Sequence, residues 1–302
     1  MKEPNSILVV ADAQQDATAL VGKALAIARQ CNLGIELFEC AAEEAYELSR
    51  AYDREDVDKA RTTILSHARA HLADLMSQAQ ASDVRMSVEA QCESPLYQAV
   101  VRKALRSKPA LVMKALPAGA GVLDPNDWQL MRTCPATLML TGHRSWSRPP
   151  RFAAAVDLSE QETEGLPQQV LEAARLLARA FRGELDVIYG DSSNGAAGKP
   201  SVLRLRELCG TQGIAPERAH VVQGIPETSL PAFAARQRYD LLVLGALEHR
   251  PELTQVGTLT SKLIDSLDCD FVLVKPAGYH SPLEEYPERT AHRKSRAASE
   301  SS

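Results

Sequence analysis

The stretch Ile7-Leu-Val-Val-Ala-Asp12 decides the fold, because Phe152-Ala-Ala-Ala-Val-Asp157 repeats its pattern 145 residues further along the chain. Each stretch is an apolar run that ends in an aspartate and leads, through polar residues, into a segment with helical spacing of its apolar residues. An apolar run of this length is typical of a strand that is buried on both faces. Its recurrence predicts that the chain contains the same structural unit twice.

The remainder of each half repeats as well. Residues 110–114 match residues 240–244 at an interval of 130, and residues 134–140 match residues 269–275 at an interval of 135, starting from a cysteine in both halves. Apolar residues recur with helical spacing in four further segments, which are residues 18–30, 96–106, 166–181 and 226–237. The alternation of strand and helix predicts an α/β fold with two tandem five-stranded, mostly parallel, Rossmann-like domains.

The domain boundaries follow from residues that interrupt this pattern. The segment His143-Arg-Ser-Trp-Ser-Arg-Pro-Pro-Arg151 contains two consecutive prolines, which continue neither a helix nor a central strand. We therefore predict a first domain at residues 1–143, a linker at 144–150 and a second domain at 151–278. Residues 279–302 lose the apolar periodicity and are predicted to form a disordered tail.

Composition excludes several classes of protein. The 302 residues are 45% hydrophobic and 24% charged, which is the profile of a soluble globular chain. A net charge of -5 provides no broad basic surface for nucleic acid, and no apolar run approaches the roughly 18 residues that span a bilayer. We expect a cytoplasmic protein that binds no specific nucleic acid and no membrane. The six cysteines lack C-x-x-C spacing, which predicts free thiols rather than disulfides or a zinc site.

Two segments carry a resemblance to a known family. They are Pro125-Asn-Asp-Trp-Gln-Leu-Met-Arg-Thr-Cys-Pro135, before the predicted fifth strand, and Asp240-Leu-Leu-Val-Leu-Gly245 with Lys275-Pro276 near the end of the second half. These segments resemble the universal stress protein family, in its two-domain type. The resemblance extends over residues 5–277. The resemblance implies a fold similar to that of the adenine nucleotide α-hydrolases.

The resemblance also implies how the halves associate. Members of that family commonly pair through their last strand, so residues 137–141 and 271–275 would pair with each other and form an internal pseudo-dimer. Two such chains would then be able to form a further homodimer. Protein partners other than a second copy are left unknown.

Nucleotide-binding members of the family carry the pattern G-x2-G-x9-G-[ST] after the fourth strand. Its glycines let backbone N–H groups approach phosphates, and its last two residues open a helix whose amino end favours anions. Gly245, Gly257 and Thr258 match the pattern, but Glu248 replaces the second glycine and is followed by eight rather than nine residues before Gly257. A carboxylate 4 Å from a phosphate costs on the order of 4 kcal/mol at an effective dielectric constant of about 20. The site survives only if Glu248 points to solvent or the two basic residues after it contact the phosphates.

The resemblance assigns roles to the candidate cofactor-binding residues. Asp157 would hold the adenosine part, Thr258 and Thr260 would donate hydroxyl hydrogen bonds to phosphate, and Gly245 and Gly257 would complete the set. The alternative is that Gly257 and Thr258 form only a loop and a helix cap. No cofactor is assigned on this basis, and ATP is the cofactor to be tested.

The first half lacks the corresponding pattern. Its loop at residues 115–128 is shorter and contains Gly119-Ala-Gly121, but it has no helix-opening Gly-Ser or Gly-Thr. Lys114 follows three apolar residues of a predicted strand, where it could meet an acid such as Asp12. We expect an ion pair that closes a lost site rather than a catalytic lysine with a lowered pKa.

Other patterns predict no chemistry. Residues 193–200 resemble a P-loop but lack its first glycine and its final Ser or Thr, and His67 and His71 have no third ligand for a metal. The acidic segment at residues 41–58 is predicted to be a helical lid with a solvated face, or alternatively a partner-binding face.

The sequence therefore predicts a stress-resistance or regulatory factor without committed catalytic activity, with neither catalytic residues nor metal ligands. The alternative is an ATP-binding switch or slow ATPase that uses the second domain. An enzyme of another kind is disfavoured because the sequence presents no poised pair of nucleophile and base.

Overall fold

The structure is a computed structural model that describes residues 5–12, 17–50, 54–117, 123–159, 162, 165–192, 198–247 and 256–284. Elements of the first half are β1 (Ser6–Ala11), α1 (Thr18–Cys31), β2 (Gly34–Cys40), α2 (Ala42–Ser49), α3 (Arg54–Ala79), β3 (Met86–Gln91), α4 (Leu96–Ser107), β4 (Leu111–Ala115), α5 (Pro125–Thr133) and β5 (Thr137–Thr141). Elements of the second half are β6 (Arg151–Ala155), α6 (Leu166–Phe181), β7 (Glu184–Asp191), α7 (Gly198–Thr211), β8 (Ala219–Gln223), α8 (Pro226–Gln237), β9 (Leu241–Gly245), α9 (Thr258–Ser266) and β10 (Asp270–Val274).

The central strands are buried on both faces, as their continuous apolar runs predict. In β1, Ile7 and Val9 point into one hydrophobic core while Leu8 and Val10 point into the other. Helices α1, α3, α6 and α7 cover the first core, and helices α4, α5, α8 and α9 cover the second. The sheet is therefore the middle layer of three.

Corresponding helices of the two halves end in the same way. Asn32 after α1 and Arg182 after α6 adopt the left-handed conformation, with φ of 54° and 51°. Lys108 after α4 and Arg238 after α8 do the same, with φ of 47° and 54°. A left-handed residue turns the chain out of the helix and back toward the next strand, so these two helix–strand connections are duplicated in geometry as well as in length.

Strand order confirms the predicted fold. The first half has the order β3-β2-β1-β4-β5 and the second half has the order β8-β7-β6-β9-β10, with all neighbours parallel within each half. The antiparallel pairing of β5 with β10 joins the halves into one ten-stranded sheet. Pairing through the last strands, which the family resemblance implies, is thus present within the chain.

The register of the repeat differs from the sequence prediction in the last strand. Leu111 lies beside Thr137 and Leu241 lies beside Asp270, so the last strands correspond at an interval of 133 residues, not 135. Helices α5 and α9 have nine residues each, and Cys134 and Leu267 cap them at the same interval. The match of Cys134 with Cys269 is therefore wrong by two positions, because the two cysteines occupy different places in the turn before the strand.

Buried aspartates anchor the predicted linker, which lies between β5 and β6. The carboxylate of Asp270 accepts hydrogen bonds from the Gly142 amide at 2.8 Å, from Trp146 Nε1 at 2.7 Å and from Lys23 Nζ at 2.8 Å. Asp240 accepts hydrogen bonds from the amides of Ser147 and Arg151 at 3.0 and 2.8 Å. The connection is thereby fixed to the ends of β9 and β10.

The chain after residue 278 is ordered further than the sequence predicts. Ser281 is buried, Tyr279 is half-buried, and both donate hydrogen bonds to the carboxyl end of α5. These contacts join polar side chains to helix-end carbonyls, so they leave no trace in the hydrophobic pattern. The rest of the predicted tail, residues 285–302, lies outside the described residues.

No helix among the described residues is both long and apolar enough to cross a membrane.

Replacing Asp270 with alanine should destabilise the fold strongly. The change leaves the ammonium group of Lys23, whose side chain is 10% exposed, without its carboxylate. Breaking a buried ion pair on one side typically lowers the free energy of unfolding by about 3–5 kcal/mol. Urea unfolding measures this, and Asp83→Ala is the matched control because the Arg29–Asp83 pair is exposed to solvent and should contribute little to stability. Equal losses for the two variants would contradict the anchoring role of Asp270.

Candidate functional site

Each half forms a crevice at the carboxyl ends of its strands, where the strand order reverses. The first crevice lies beyond β1 and β4, and the second lies beyond β6 and β9. This is the place where open α/β sheets bind ligands. The cavity volumes are about 200 Å³ for the first crevice and about 390 Å³ for the second, and a cavity of about 400 Å³ adjoins the first crevice at Ala42, Glu43, Leu96 and Asn126. The second crevice reaches the size range of typical small-molecule sites by itself.

The second crevice brings the predicted site residues together. Asp157, Gly245, Gly257 and Thr260 all line it, and Thr258 is the exposed first residue of the helix that forms one wall. Their common location follows from parallel strands, because Asp157 follows β6, Gly245 ends β9, and the residues from Gly257 onward open α9.

The hydroxyl of Thr260 is already used within the fold. Its Oγ1 donates a hydrogen bond to the carbonyl oxygen of Gly245 at 3.0 Å, and the residue is buried. This bond ties the first turn of α9 to the end of β9. An anion at this helix would therefore be bound by backbone N–H groups and Thr258 rather than by the Thr260 hydroxyl.

Gly257 leaves the amino end of α9 without a side-chain cap. It has φ of -60° and ψ of 140°, and a glycine has no side-chain oxygen that could accept a hydrogen bond from the N–H groups of the first turn. Gly245 has a packing reason of its own, because a Cβ there would lie 3.0 Å from Leu166 Cδ2. Of the two glycines, only Gly257 leaves a feature that a ligand could use.

The electrostatics of the second crevice are acidic. Asp157, Glu162 and Glu227 line it, and none of its described lining residues is lysine or arginine. The Asp157 carboxylate is exposed and accepts a hydrogen bond from the Ser159 amide at 2.8 Å. These charges oppose the approach of a polyphosphate. Residues 248–255, which include Glu248, His249 and Arg250, lie outside the described residues, and so does the predicted clash with Glu248.

The first crevice has the same backbone and different chemistry at three places. Lys114 in β4 stands where β9 has Leu244, Asp124 caps α5 where Gly257 precedes α9, and Asp127 stands where α9 has Thr260. Lys114 Nζ lies 2.8 Å from Asp127 Oδ1 and 3.3 Å from Asp124 Oδ2. One lysine thus bridges two carboxylates at the helix start.

The chain's own carboxylate occupies the place of an anion in the first half. Asp124 Oδ1 accepts hydrogen bonds from the amides of Asn126 at 2.6 Å and Asp127 at 3.0 Å, and the Asp127 side chain accepts one from the Asp124 amide in return. This reciprocal capping box uses the N–H groups that a phosphate would need. The first crevice is consequently closed to phosphate at this helix.

The state of Lys114 confirms the predicted ion pair and corrects its partner. Burial disfavours the charge, but the carboxylates of Asp127 and Asp124 outweigh this effect and raise the pKa of Lys114 above its ordinary value. The lysine is therefore a cation and not a base. Asp12 lines the same crevice, but the ion pair is made with Asp124 and Asp127, because Lys114 reaches toward α5.

The signal for this pair was present in the sequence. Asp124 followed by Pro125, with Asp127 three residues after the cap, is a helix-start pattern. A pattern that requires a helix-opening Gly-Ser or Gly-Thr does not detect this helix start. Reading Asp124 as a cap places both acids next to the end of β4.

Other side chains flagged in the sequence have structural partners. His71 Nδ1 lies 2.6 Å from Glu39 Oε2 at the floor of the first crevice, where burial raises the pKa of Glu39 despite this contact. The described residues contain no cluster of three metal-ligating side chains. All six cysteines are free thiols, as predicted. Residues 193–197 of the rejected P-loop segment lie outside the described residues.

Comparison with known proteins finds similar proteins over most of the chain. Universal stress protein E of Photorhabdus laumondii is 23% identical over 94% of this chain and 99% of its own length. Universal stress protein E of Escherichia coli is 22% identical over 92% of this chain and 96% of its own length. By sequence and by fold, the chain is a two-domain relative of the universal stress proteins.

Solved structures show the same fold. A universal stress protein from Archaeoglobus fulgidus superposes with a TM-score of 0.67 at 14% identity, covering 90% of this chain and 96% of that chain. A protein of unknown function from Pseudomonas aeruginosa gives 0.71 at 22% identity, covering 91% and 93%. No family model matches the chain, so this universal stress protein relative is placed by whole-chain similarity rather than by a family pattern.

Removing the charge of Lys114 alone should destabilise this relative, and removing both charges should not. Lys114→Leu leaves the fully buried Asp127 without its cation, and such changes cost about 3–5 kcal/mol. The double variant Lys114→Leu/Asp127→Thr reproduces the second half at two of the three places, leaves the less buried Asp124 as the helix cap, and should recover most of the loss. A double-mutant cycle by urea unfolding measures the coupling. Additive effects would show that the two side chains do not depend on each other.

Proposed function

We propose that the protein is a stress-resistance or regulatory factor without committed catalytic activity, acting in the cytoplasm. The proposal rests on the resemblance to universal stress protein E over both halves. It assigns the protein's role to binding and to conformation rather than to turnover of a substrate. Its protein partners stay unidentified.

The observation that carries the proposal is that reactive groups in the two crevices make contacts within the fold. The Thr260 hydroxyl donates to the Gly245 carbonyl oxygen, and the Cys40 thiol donates to the Glu93 carbonyl oxygen at 3.1 Å. Burial raises the pKa of Cys40 to about 12, so this thiol stays protonated and is a poor nucleophile. Lys114 is held as a cation by two carboxylates. These three groups, which could otherwise attack a substrate or abstract a proton, are engaged in the fold.

An ATP-binding switch or slow ATPase in the second half is the second candidate. The specific observation in its favour is the uncapped amino end of α9 at Gly257, beside a cavity of about 390 Å³. Asp157, Gly245, Gly257, Thr258 and Thr260 would form its site. The acidic lining argues that binding of ATP is weak or absent.

Titration with ATP, AMP and magnesium separates the two candidates. We expect calorimetry to give an ATP dissociation constant on the order of 1 mM or weaker, because three carboxylates face the crevice. Gly257→Asp, which copies Asp124 of the first half, should change little in that case. Gly257→Ala is the matched control, since it adds a methyl group without a charge.

Submicromolar ATP binding that Gly257→Asp abolishes and Gly257→Ala retains would overturn the first candidate. An absence of any thermal shift at millimolar ATP would overturn the second. Release of inorganic phosphate at a rate above the protein-free control would assign a slow ATPase instead of a switch.

A further inference from the structure

The carboxyl end of α5 is completed by side chains from the far end of the chain. The last four carbonyl groups of a helix have no partner within it, and the Cys134 amide satisfies the Leu130 carbonyl oxygen at 2.9 Å. Side chains from residues 275–284, here named the C-terminal strap, reach the other three. Lys275 Nζ donates to Met131 and, at 3.1 Å, to Arg132; Tyr279 Oη donates to Arg132; and Ser281 Oγ donates to Thr133 at 2.7 Å.

The charge of Lys275 suits this position. Burial of this side chain lowers the pKa of Lys275 to about 7. The negative end of the α5 dipole and the Tyr279 ring, whose centre lies 4.6 Å from Lys275 Nζ, favour the charged form, and the Nζ hydrogens can be donated to the helix carbonyls in either form. At the interval of 133 residues, Gly142 holds the corresponding place after β5. The first half therefore supplies no equivalent lysine to α9, and the strap is a feature of one half only.

The strap is itself folded. Gly278 has φ of 73° and turns the chain, and His280 Nδ1 lies 3.1 Å from the carboxylate of Glu284. The Ser281 amide donates to Glu284 at 3.2 Å, and Leu283 packs against the hydrophobic core. These contacts fix the spacing between the donors that meet α5.

The other end of α5 closes the first crevice. A nine-residue helix is too short to be stable by itself, so it depends on its packing through the fully buried Leu130 and Met131 and on the contacts at its two ends. Asp124 and Asp127 hold the amino end through Lys114, and the strap holds the carboxyl end. We expect a change at one end of so short a helix to reach the groups at the other.

We propose that the C-terminal strap is a conformational lock in which the second half's terminus holds α5 and thereby keeps the first crevice closed. Release of the strap frays α5, loosens the capping box at Asp124 and opens the first crevice. The lock lies outside the second crevice, so it is independent of whether a nucleotide binds there.

Labelling of buried cysteines tests the lock. Cys134 is the fully buried cap of α5, and Cys209 is a fully buried cysteine of α7 that serves as an internal control. Tyr279→Phe/Ser281→Ala removes two donors to α5 and keeps most of the side-chain volume. We expect a thiol reagent, followed by peptide mass spectrometry, to label Cys134 on the order of tenfold faster, with Cys209 unchanged.

Hydrogen exchange at the amino end of α5 tests the coupling. The amides of Asn126 and Asp127, which donate to Asp124, should exchange faster by a similar factor in the same variant. Thr228→Val is the matched control, because it likewise removes a hydroxyl that donates to a helix-end carbonyl oxygen, that of Ile225 at the start of α8, outside the strap and α5. It should change neither readout.

Two results would overturn the lock. Equal acceleration of Cys134 and Cys209 would show general destabilisation, and faster labelling of Cys134 with unchanged exchange at Asn126 and Asp127 would show that the strap does not control the crevice. If circular dichroism shows that the double variant is unfolded, Ser281→Ala alone removes a single donor. It must then accelerate both readouts by a smaller factor, and no acceleration would also overturn the lock.

Discussion

The antiparallel pairing of β5 with β10 is the contact on which the other features depend. Leu138, Leu140 and Phe271 in these strands are fully buried, so a half without its partner would present an apolar edge strand to water. Met139 faces Val272 at the centre of the pairing, and the flanking pairs are related by a pseudo-two-fold axis through this point. The chain thereby satisfies within itself an interface that would otherwise require a second copy.

This junction brings distant segments of the chain into contact. Asp270 lies at the start of β10, which places it beside Gly142 after β5 and beside Lys23 of α1. Lys275, which follows β10, lies beside the end of α5 for the same reason. The linker anchor and the strap are both consequences of one strand pairing.

The two crevices show how little sequence change separates an open helix start from a closed one. Substituting a lysine for a leucine and two aspartates for Gly257 and Thr260 turns the amino end of a helix into a salt-bridged cap. The backbone supplies the same N–H groups in both halves. In the first half Asp124 caps them with its carboxylate, whereas Gly257 at the corresponding position of the second half has no side chain to do so.

The sequence predicts the fold well wherever burial forces a continuous apolar run. The apolar runs at residues 7–11 and 152–156 predict strands β1 and β6, and their similarity predicts the repeat. They are apolar because strands in the middle of a parallel sheet tolerate few polar side chains. It fails where spacing depends on a turn, as in the two-residue error at Cys269.

Contacts of polar side chains are predicted less well. An ion pair for Lys114 follows from a charge in a buried strand, but its partner depends on where α5 begins. The strap of residues 275–284 cannot be predicted from the sequence. A lysine, a tyrosine and a serine that cap a helix produce no periodic pattern of apolar residues. The members of the second crevice follow from the resemblance, whereas the engagement of Thr260 with Gly245 requires the three-dimensional structure.

A single cross-link measures the central strand pairing most directly. Met139 and Val272 lie opposite each other in an antiparallel pair, within the Cα separation that a disulfide spans. The variant Met139→Cys/Val272→Cys, refolded under oxidising conditions, should form a disulfide within one chain. Peptide mass spectrometry identifies the disulfide, and a non-reducing gel should show the protein at the position of a single chain. A disulfide that forms only between two chains, or forms equally well in the shifted pair Leu138→Cys/Val272→Cys, would contradict the joined ten-stranded sheet.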